Sequence, residues 1–139
     1  MSELSKSKPS NQHIIDWVNE VAERTKPDKI FWCDGTEAEK AALTQLAVEE
    51  GILTPLNQEK WPGCYYHRSN PNDVARVEDR TFICTPNEEE VGPTNNWSEP
   101  DAMYDKLHGL LEGSMKGRTM YVCPYLMGPP GSEMSRVGV

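Results

Sequence analysis

A strand, a sharp turn and the start of a helix follow one another in Lys29-Ile30-Phe31-Trp32-Cys33-Asp34-Gly35-Thr36-Glu37-Ala38-Glu39. The apolar run 29–33 is typical of a short buried strand, and Asp34-Gly35 favours a turn. Thr36 and Glu39 have the spacing of a capping box, in which two side chains satisfy free backbone donors at a helix start. A strand that leads directly into a capped helix predicts an α/β architecture.

Amphipathic patterns predict three helices in all. The first begins at an N-cap at Ser10 and has an apolar face formed by Ile14, Trp17, Val18 and Val21. The second follows Thr36 and ends near Gly51, a residue suited to a helix C-terminus. The third begins at Ser98, with Asp101 as its capping-box partner, and has the apolar stripe Met103, Leu107, Leu110 and Leu111.

Short apolar or alternating runs predict further strands at residues 74–78, 81–84, 119–123 and 136–139. Because these strands are interspersed with helices, the expected fold class is α/β (mixed α+β). Residues 1–9 are polar and predict a flexible N-terminus, which leaves one domain over residues 10–139. The sequence stops as it enters its last strand, so the pattern predicts a truncated domain.

The composition restricts the class of partner. Of the 139 residues, 26% are charged and 37% hydrophobic, and the net charge is −8. Nucleic-acid binding requires an excess of lysine and arginine to neutralise phosphates, so no nucleic acid is expected. The sequence has neither an apolar run long enough for a bilayer nor the apolar segment of a secretory signal. We therefore expect no membrane partner and a cytoplasmic location.

Motifs that carry chemistry are sparse. The chain contains no Cys-x-x-Cys pair, so the pattern favours buried thiols over zinc ligands or disulfides at Cys33, Cys64, Cys84 and Cys123. No metal-ligand spacing links His13, His67 and His108, and no Gly-x-x-x-x-Gly-Lys-Ser/Thr phosphate loop is present. The sequence therefore predicts no metal-binding, nucleotide-binding or acid–base catalytic residue in this chain.

One pair of charged residues suits ligand binding. Arg76 and Glu78 are two positions apart in a predicted strand, so both would point to the same face. Arginine binds a carboxylate through two parallel hydrogen bonds, and a neighbouring glutamate can hold the guanidinium in place. The local pattern alone favours an exposed surface ion pair of little energetic value.

Two segments carry a resemblance to a known family. They are SNPNDVARVEDRTF at residues 69–82 and MKGRTMYV at 115–122, the second continuing through Met-Gly-Pro at 127–129 to residue 138. Together with Trp-Cys-Asp-Gly at 32–35, they resemble the N-terminal part of GTP-dependent phosphoenolpyruvate carboxykinase. Departures from the family pattern are confined to Pro130 and Glu133, which affect one loop.

The resemblance implies the reaction of oxaloacetate and GTP to phosphoenolpyruvate, GDP and carbon dioxide, as in gluconeogenesis. It implies a divalent metal ion, usually Mn²⁺, that holds the enolate formed on loss of carbon dioxide. It also assigns substrate-carboxylate binding to Arg76 and a supporting role to Glu78. The family's metal, nucleotide and reactive-cysteine residues have no counterpart in this sequence.

Three functions are compatible with these observations. In the first, the chain is an N-terminal fragment of the carboxykinase, inactive and monomeric by itself, with exposed apolar surface where other parts of the enzyme dock. In the second, it is a stand-alone module that binds small anions through Arg76. In the third, it is an interaction domain that has lost ligand binding. The resemblance favours the first.

Overall fold

The computed structural model describes residues 9–73 and 77–139. Within these residues, the helices are α1 (Gln12–Thr25), α2 (Glu37–Glu49) and α3 (Pro100–Leu111), with short 3₁₀ helices at Glu78–Arg80 and Glu88–Val91. The strands are β1 (Lys29–Trp32), β2 (Thr54–Pro55), β3 (Tyr65–Tyr66), β4 (Phe82–Ile83), β5 (Asn96–Trp97), β6 (Thr119–Val122), β7 (Tyr125–Met127) and β8 (Arg136–Gly138). The predicted mixed α/β class is confirmed.

The described strands form four two-stranded sheets, β1 with β6, β2 with β3, β4 with β5 and β7 with β8. The β4–β5 pair is parallel, whereas β2–β3 and β7–β8 are antiparallel. Strands predicted at 29–33, 81–84, 119–123 and 136–139 are confirmed in slightly shorter form. The partners β2, β3, β5 and β7 were not predicted, because each lies beside proline, glycine or asparagine residues that are typical of turns.

The prediction of a strand over residues 74–78 is wrong at its last residue. Residues 74–76 lie outside the described residues, and Glu78 begins a 3₁₀ helix. The Thr81 hydroxyl donates to the Val77 carbonyl at 2.7 Å, and the Arg80 amide donates to the same carbonyl at 3.2 Å. These local bonds turn the backbone after Val77, so Glu78 is not part of a strand.

Two predicted helix caps are each displaced by one residue. The N-cap of α1 is Asn11, whose side chain accepts from the His13 amide at 3.0 Å, rather than Ser10. The N-cap of α3 is Glu99 rather than Ser98, because its carboxylate accepts from the amides of Asp101 and Ala102 at 3.1 and 2.7 Å. Two carboxylate oxygens thereby satisfy two free backbone donors of the first turn of α3.

The described chain forms two compact units. One comprises residues 9–31, 77–122 and 139, and its buried apolar side chains are Ile15, Val18, Phe31, Val91, Met120 and Val122. The other comprises residues 32–73 and 123–138 and buries Trp32 and Glu39.

The buried face of α1 is rotated from the predicted one. Ile15, Val18 and Thr25 are buried, whereas the predicted core residue Trp17 is 52% exposed. The C-terminal end of the helix fixes this rotation, since the Thr25 carbonyl accepts from the Met115 amide at 2.9 Å. A tertiary contact of this kind is invisible to helical periodicity.

The predicted apolar stripe on α3 exists but is not buried. Leu107, Leu110 and Leu111 are exposed, Leu110 to 70%, and Met103 is half-buried. The pattern therefore identified an apolar face of α3 that is largely exposed in the described chain.

Candidate functional site

Arg76, the predicted carboxylate-binding residue, lies outside the described residues. Its predicted partner Glu78 is described, is exposed, and opens the 3₁₀ helix Glu78–Arg80. The described part of the predicted site therefore consists of the residues that directly follow Arg76 in the sequence.

Asn96 fixes the backbone that directly follows Arg76. Its side-chain amide donates to the carbonyls of Glu78 and Thr81, at 2.9 and 3.1 Å. Its backbone lies in β5, where it pairs with Phe82 of β4. One side chain thus holds both ends of the 3₁₀ helix, which sets the position from which Glu78 projects.

Trp97 extends this arrangement by one residue. Its indole N–H donates to the Thr85 carbonyl at 2.9 Å, and its backbone pairs with Ile83. The neighbouring Ser98 amide donates to the Ile83 carbonyl at 3.4 Å. Together with the contacts of Asn96, these contacts hold β4 at both of its ends.

Neither Asn96 nor Trp97 was predicted as a functional residue, because both follow an acidic stretch rich in turn-forming residues. The local signal in the sequence is an indole N–H next to a side-chain amide, both of which are hydrogen-bond donors.

Asp28 fixes the second family-like segment. Its carboxylate accepts from the Gly117 amide at 2.9 Å, and its own amide donates to the Arg118 carbonyl at 3.0 Å. Gly117 has φ +77°, in the left-handed region that favours glycine. The turn between the exposed residues Lys116 and Arg118 is therefore tied to the residue that precedes β1.

Lys116 and Arg118 do not lie at a helix C-terminus, because α3 ends at Leu111 and the basic residue of its last turn is His108. Gly113 interrupts the helix with φ +66° and donates its amide to the Arg24 carbonyl at 2.9 Å. The two cationic side chains instead stand on a separate, exposed turn.

An ion pair lies near the same turn. Lys26, in a left-handed conformation after α1, hydrogen-bonds to the carboxylate of Glu112, which follows α3. This hydrogen bond and the lysine charge lower the pKa of Glu112. The pair stabilises the junction of the two helix ends, and both groups are exposed, which limits its energetic value.

The cysteines do not fit the prediction of buried thiols. Cys64, Cys84 and Cys123 are exposed, Cys33 is half-buried, and all four are free. The Sγ atoms of Cys33 and Cys123 are 3.5 Å apart. Burial, together with the hydrogen bond and charge of Cys123 and the nearby carboxylates of Glu39 and Asp34, raises the pKa of Cys33 to about 12.

Residues 9–73 and 77–139 contain no group of three or more histidine, cysteine or acidic side chains placed to hold a metal ion. The described residues therefore do not fit the Mn²⁺ site that the family resemblance implies. Within the same ranges, none of the helices combines the length and the apolar character needed to cross a membrane.

Comparison with known proteins agrees with the resemblance. Residues 16–139 match the family described as the phosphoenolpyruvate carboxykinase N-terminal domain. The GTP-type phosphoenolpyruvate carboxykinase of Anaeromyxobacter dehalogenans strain 2CP-C is 60% identical over 130 residues, covering 94% of this chain and 22% of that protein. The enzymes of the same name from Neocallimastix frontalis and Chlamydia trachomatis are 52% and 47% identical over 129 and 133 residues. These two matches cover 93% and 96% of this chain, and 21% and 22% of the relatives.

The fold and these matches define the chain as a mixed α/β domain of the carboxykinase type. It belongs to the phosphoenolpyruvate carboxykinase N-terminal domain family, which matches it over residues 16–139. The chain spans about a fifth of the length of the relatives it matches.

Proposed function

We propose that this chain supplies the N-terminal part of a GTP-dependent phosphoenolpyruvate carboxykinase, which converts oxaloacetate and GTP into phosphoenolpyruvate, GDP and carbon dioxide. The observation that carries the proposal is the 60% identity over 130 residues to an enzyme of that name. The family resemblance places the metal and nucleotide sites of such an enzyme outside this chain. By itself the chain is expected to have no turnover.

Arg76 is the proposed contribution of this chain to substrate binding. A guanidinium that forms two parallel hydrogen bonds with a carboxylate fixes both the position and the orientation of a small acid. The hydrogen bonds of Asn96 to the carbonyls of Glu78 and Thr81 support the proposal, since they restrain the backbone immediately after Arg76. Such restraint lowers the entropic cost of placing a binding side chain.

Glu78 is proposed to support Arg76 rather than to contact substrate. Its carboxylate is exposed, and its backbone carbonyl is held by Asn96 at 2.9 Å. A carboxylate two residues away can orient a guanidinium through a charge-assisted hydrogen bond. In this role Glu78→Gln weakens oxaloacetate binding less than loss of Arg76 does.

The exposed face of α3 also favours the enzyme function. Tyr104, Leu107, Leu110 and Leu111 are 61%, 47%, 70% and 45% exposed. Contiguous apolar exposure of this kind is unusual for a monomer and typical of a surface that packs against another part of a protein. Such an exposed apolar face is expected if the chain is one domain of a longer carboxykinase.

The test is a chimeric enzyme in which this chain replaces the matching 130 residues of the Anaeromyxobacter dehalogenans carboxykinase. The chimera should convert oxaloacetate in the presence of GTP and Mn²⁺. Arg76→Ala should raise the KM for oxaloacetate about 10- to 100-fold, because a hydrogen bond to a charged group contributes roughly 1.5–3 kcal/mol.

Arg80→Ala is the matched control for this test. Arg80 is the same type of residue, lies four positions away and is exposed, and among the described residues its side chain makes a loose 3.9 Å contact with Asp79. Its loss should leave the KM within about twofold, as is typical of a surface substitution. An unchanged KM in Arg76→Ala, or an equal rise in both variants, contradicts the assignment of Arg76.

The remaining parts of the proposal concern the whole enzyme. GTP is its co-substrate, Mn²⁺ its metal, the cytoplasm its location, and a monomer its form. The alternative of a stand-alone anion-binding module makes a different prediction, since the isolated chain would then bind oxalate in a salt-sensitive manner that Arg76→Ala abolishes. Calorimetric titration of the isolated chain with oxalate separates the two, because the enzyme function expects no measurable binding there.

A further inference from the structure

Two cysteines follow directly on two paired strands. Cys33 comes immediately after β1, Cys123 comes immediately after β6, and these strands are neighbours in one sheet. The pairing carries the two side chains to the same place although 90 residues separate them in sequence. Their Sγ atoms are in contact at 3.5 Å, and both cysteines are free.

We propose that Cys33 and Cys123 form a reversible intrachain disulfide through exchange with low-molecular-weight disulfides such as oxidised glutathione. A disulfide has an S–S length of about 2.05 Å, so the two sulfurs need to approach by about 1.5 Å, which is within the reach of side-chain rotation. This inference is independent of the proposed enzymatic function, since it rests only on the contact between the two thiols.

Exposure distinguishes the roles of the two sulfurs. Cys123 is exposed, so an external disulfide can reach it, whereas Cys33 is half-buried. Burial and the hydrogen bond of Cys123 raise the pKa of Cys33 to about 12, which keeps it as a thiol while Cys123 is free. Since the thiolate is the attacking species, Cys123 reacts first and Cys33 second.

The exchange proceeds in two balanced steps. In the first, the Cys123 thiolate attacks one sulfur of oxidised glutathione, forms a mixed disulfide and releases one glutathione thiolate. In the second, Cys33 loses its proton to solvent and attacks the Cys123 Sγ, which expels the second glutathione thiolate. Overall, two cysteine thiols are oxidised, one external disulfide is reduced, and two glutathione molecules are released.

The first step also prepares the second. Two of the causes that raise the pKa of Cys33 are the hydrogen bond and the charge of Cys123, and both disappear once Cys123 is in a mixed disulfide. Burial and the carboxylates of Glu39 and Asp34 still raise the pKa of Cys33. The second step should therefore be the slower one and should accelerate as pH rises.

Peptide mapping of the full chain tests the proposal. The chain is incubated with mixtures of reduced and oxidised glutathione, quenched with acid and digested without reduction. We expect a Cys33–Cys123 cross-linked peptide with the loss of two hydrogen atoms, both in the natural chain and in the control variant Cys64→Ser/Cys84→Ser. Cys33→Ser should lose the cross-link and accumulate a glutathione adduct on Cys123.

Incubation in concentrated urea provides the second measurement. Unfolding removes the contact, so the Cys33–Cys123 cross-link should fall to the level of the other cysteine pairings. Adducts spread over the four cysteines without this cross-link in buffer would overturn the proposal. An equal yield of the cross-link in buffer and in urea would overturn it as well, because the folded contact would then have no role.

Discussion

The turn after β1 and the segment after Arg76 are held together in opposite ways. At the first, Glu39 accepts from the amides of Asp34 and Gly35, at 2.6 and 3.3 Å, across four or five residues. At the second, the Asn96 side chain reaches carbonyls 15 and 18 residues away. A local network can be recognised from spacing in the sequence, whereas a distant side chain cannot.

The largest expected loss of stability tests the local hydrogen bonds that Glu39 forms in the turn after β1. Glu39 is buried, and its carboxylate is the acceptor for two backbone amides of the turn. Glu39→Ala should lower the free energy of unfolding by about 2–3 kcal/mol, because hydrogen bonds to a charged group are strong and the amides lose their partner. Urea unfolding of the full chain measures this change.

Glu37→Ala is the matched control for Glu39. Glu37 lies in the same first turn of α2, but its side chain is 88% exposed and forms a surface ion pair with Lys40. Its loss should cost no more than about 0.5 kcal/mol. Equal costs for the two variants would show that the buried carboxylate does not stabilise the turn.

The second largest expected loss of stability tests the hydrogen bonds that the Asn96 side chain forms with distant carbonyls. Asn96→Asp keeps the size of the side chain but removes the N–H donor to the carbonyls of Glu78 and Thr81. It should cost about 1–2 kcal/mol, in line with the loss of two ordinary hydrogen bonds. In the chimeric enzyme it should also raise the KM for oxaloacetate more than kcat falls, because it loosens the backbone after Arg76.

Two outcomes would break this comparison. Hydrogen exchange at the Thr81 amide should accelerate in Asn96→Asp while exchange at the Glu39 amide stays unchanged, since the two amides lie in separate networks. Acceleration at both amides would mean that Asn96 stabilises the chain globally. An unchanged rate at Thr81 would mean that the side chain of Asn96 does not hold the 3₁₀ helix.

The same contrast explains what the sequence predicted. The strand, turn and capped helix at residues 29–39 were anticipated, because each rests on neighbours in sequence. Strands β2, β3, β5 and β7 were missed, because each lies beside turn-forming residues and forms only through a partner elsewhere in the chain. Arg76 stays a prediction, whereas the supporting Asn96 required the structure.

The third effect concerns helix caps. Thr36 caps α2 by accepting from the Glu39 amide at 3.2 Å, whereas Ser98 only precedes the true cap of α3, Glu99. Thr36→Ala should therefore cost about 1 kcal/mol, as is typical for the loss of a capping oxygen. Ser98→Ala should stay within about 0.5 kcal/mol. Urea unfolding distinguishes the two variants. A larger loss of unfolding free energy for Ser98→Ala would mean that Ser98, as the sequence predicted, is the cap of α3.

The smallest effect appears only at high pH. The pKa of Cys33 is raised from its ordinary 9.0 to about 12 in the folded chain, by burial first and then by Cys123, Glu39 and Asp34. Between these values the unfolded chain loses this proton while the folded chain keeps it. The folded state then binds more protons, so the free energy of unfolding falls as pH rises above 9.

Replacement of the thiol should flatten this decline. With reductant present, Cys33→Ser should lose less stability than the natural chain between pH 8 and about 10.5, because serine does not titrate there. Cys64→Ser should follow the natural chain, since Cys64 is exposed and stands apart in sequence from this network. Parallel declines in all three proteins would show that Cys33 ionises as readily in the folded as in the unfolded state. The turn after β1 would then have to accommodate a charge beside Glu39, which contradicts the tight local network inferred for it.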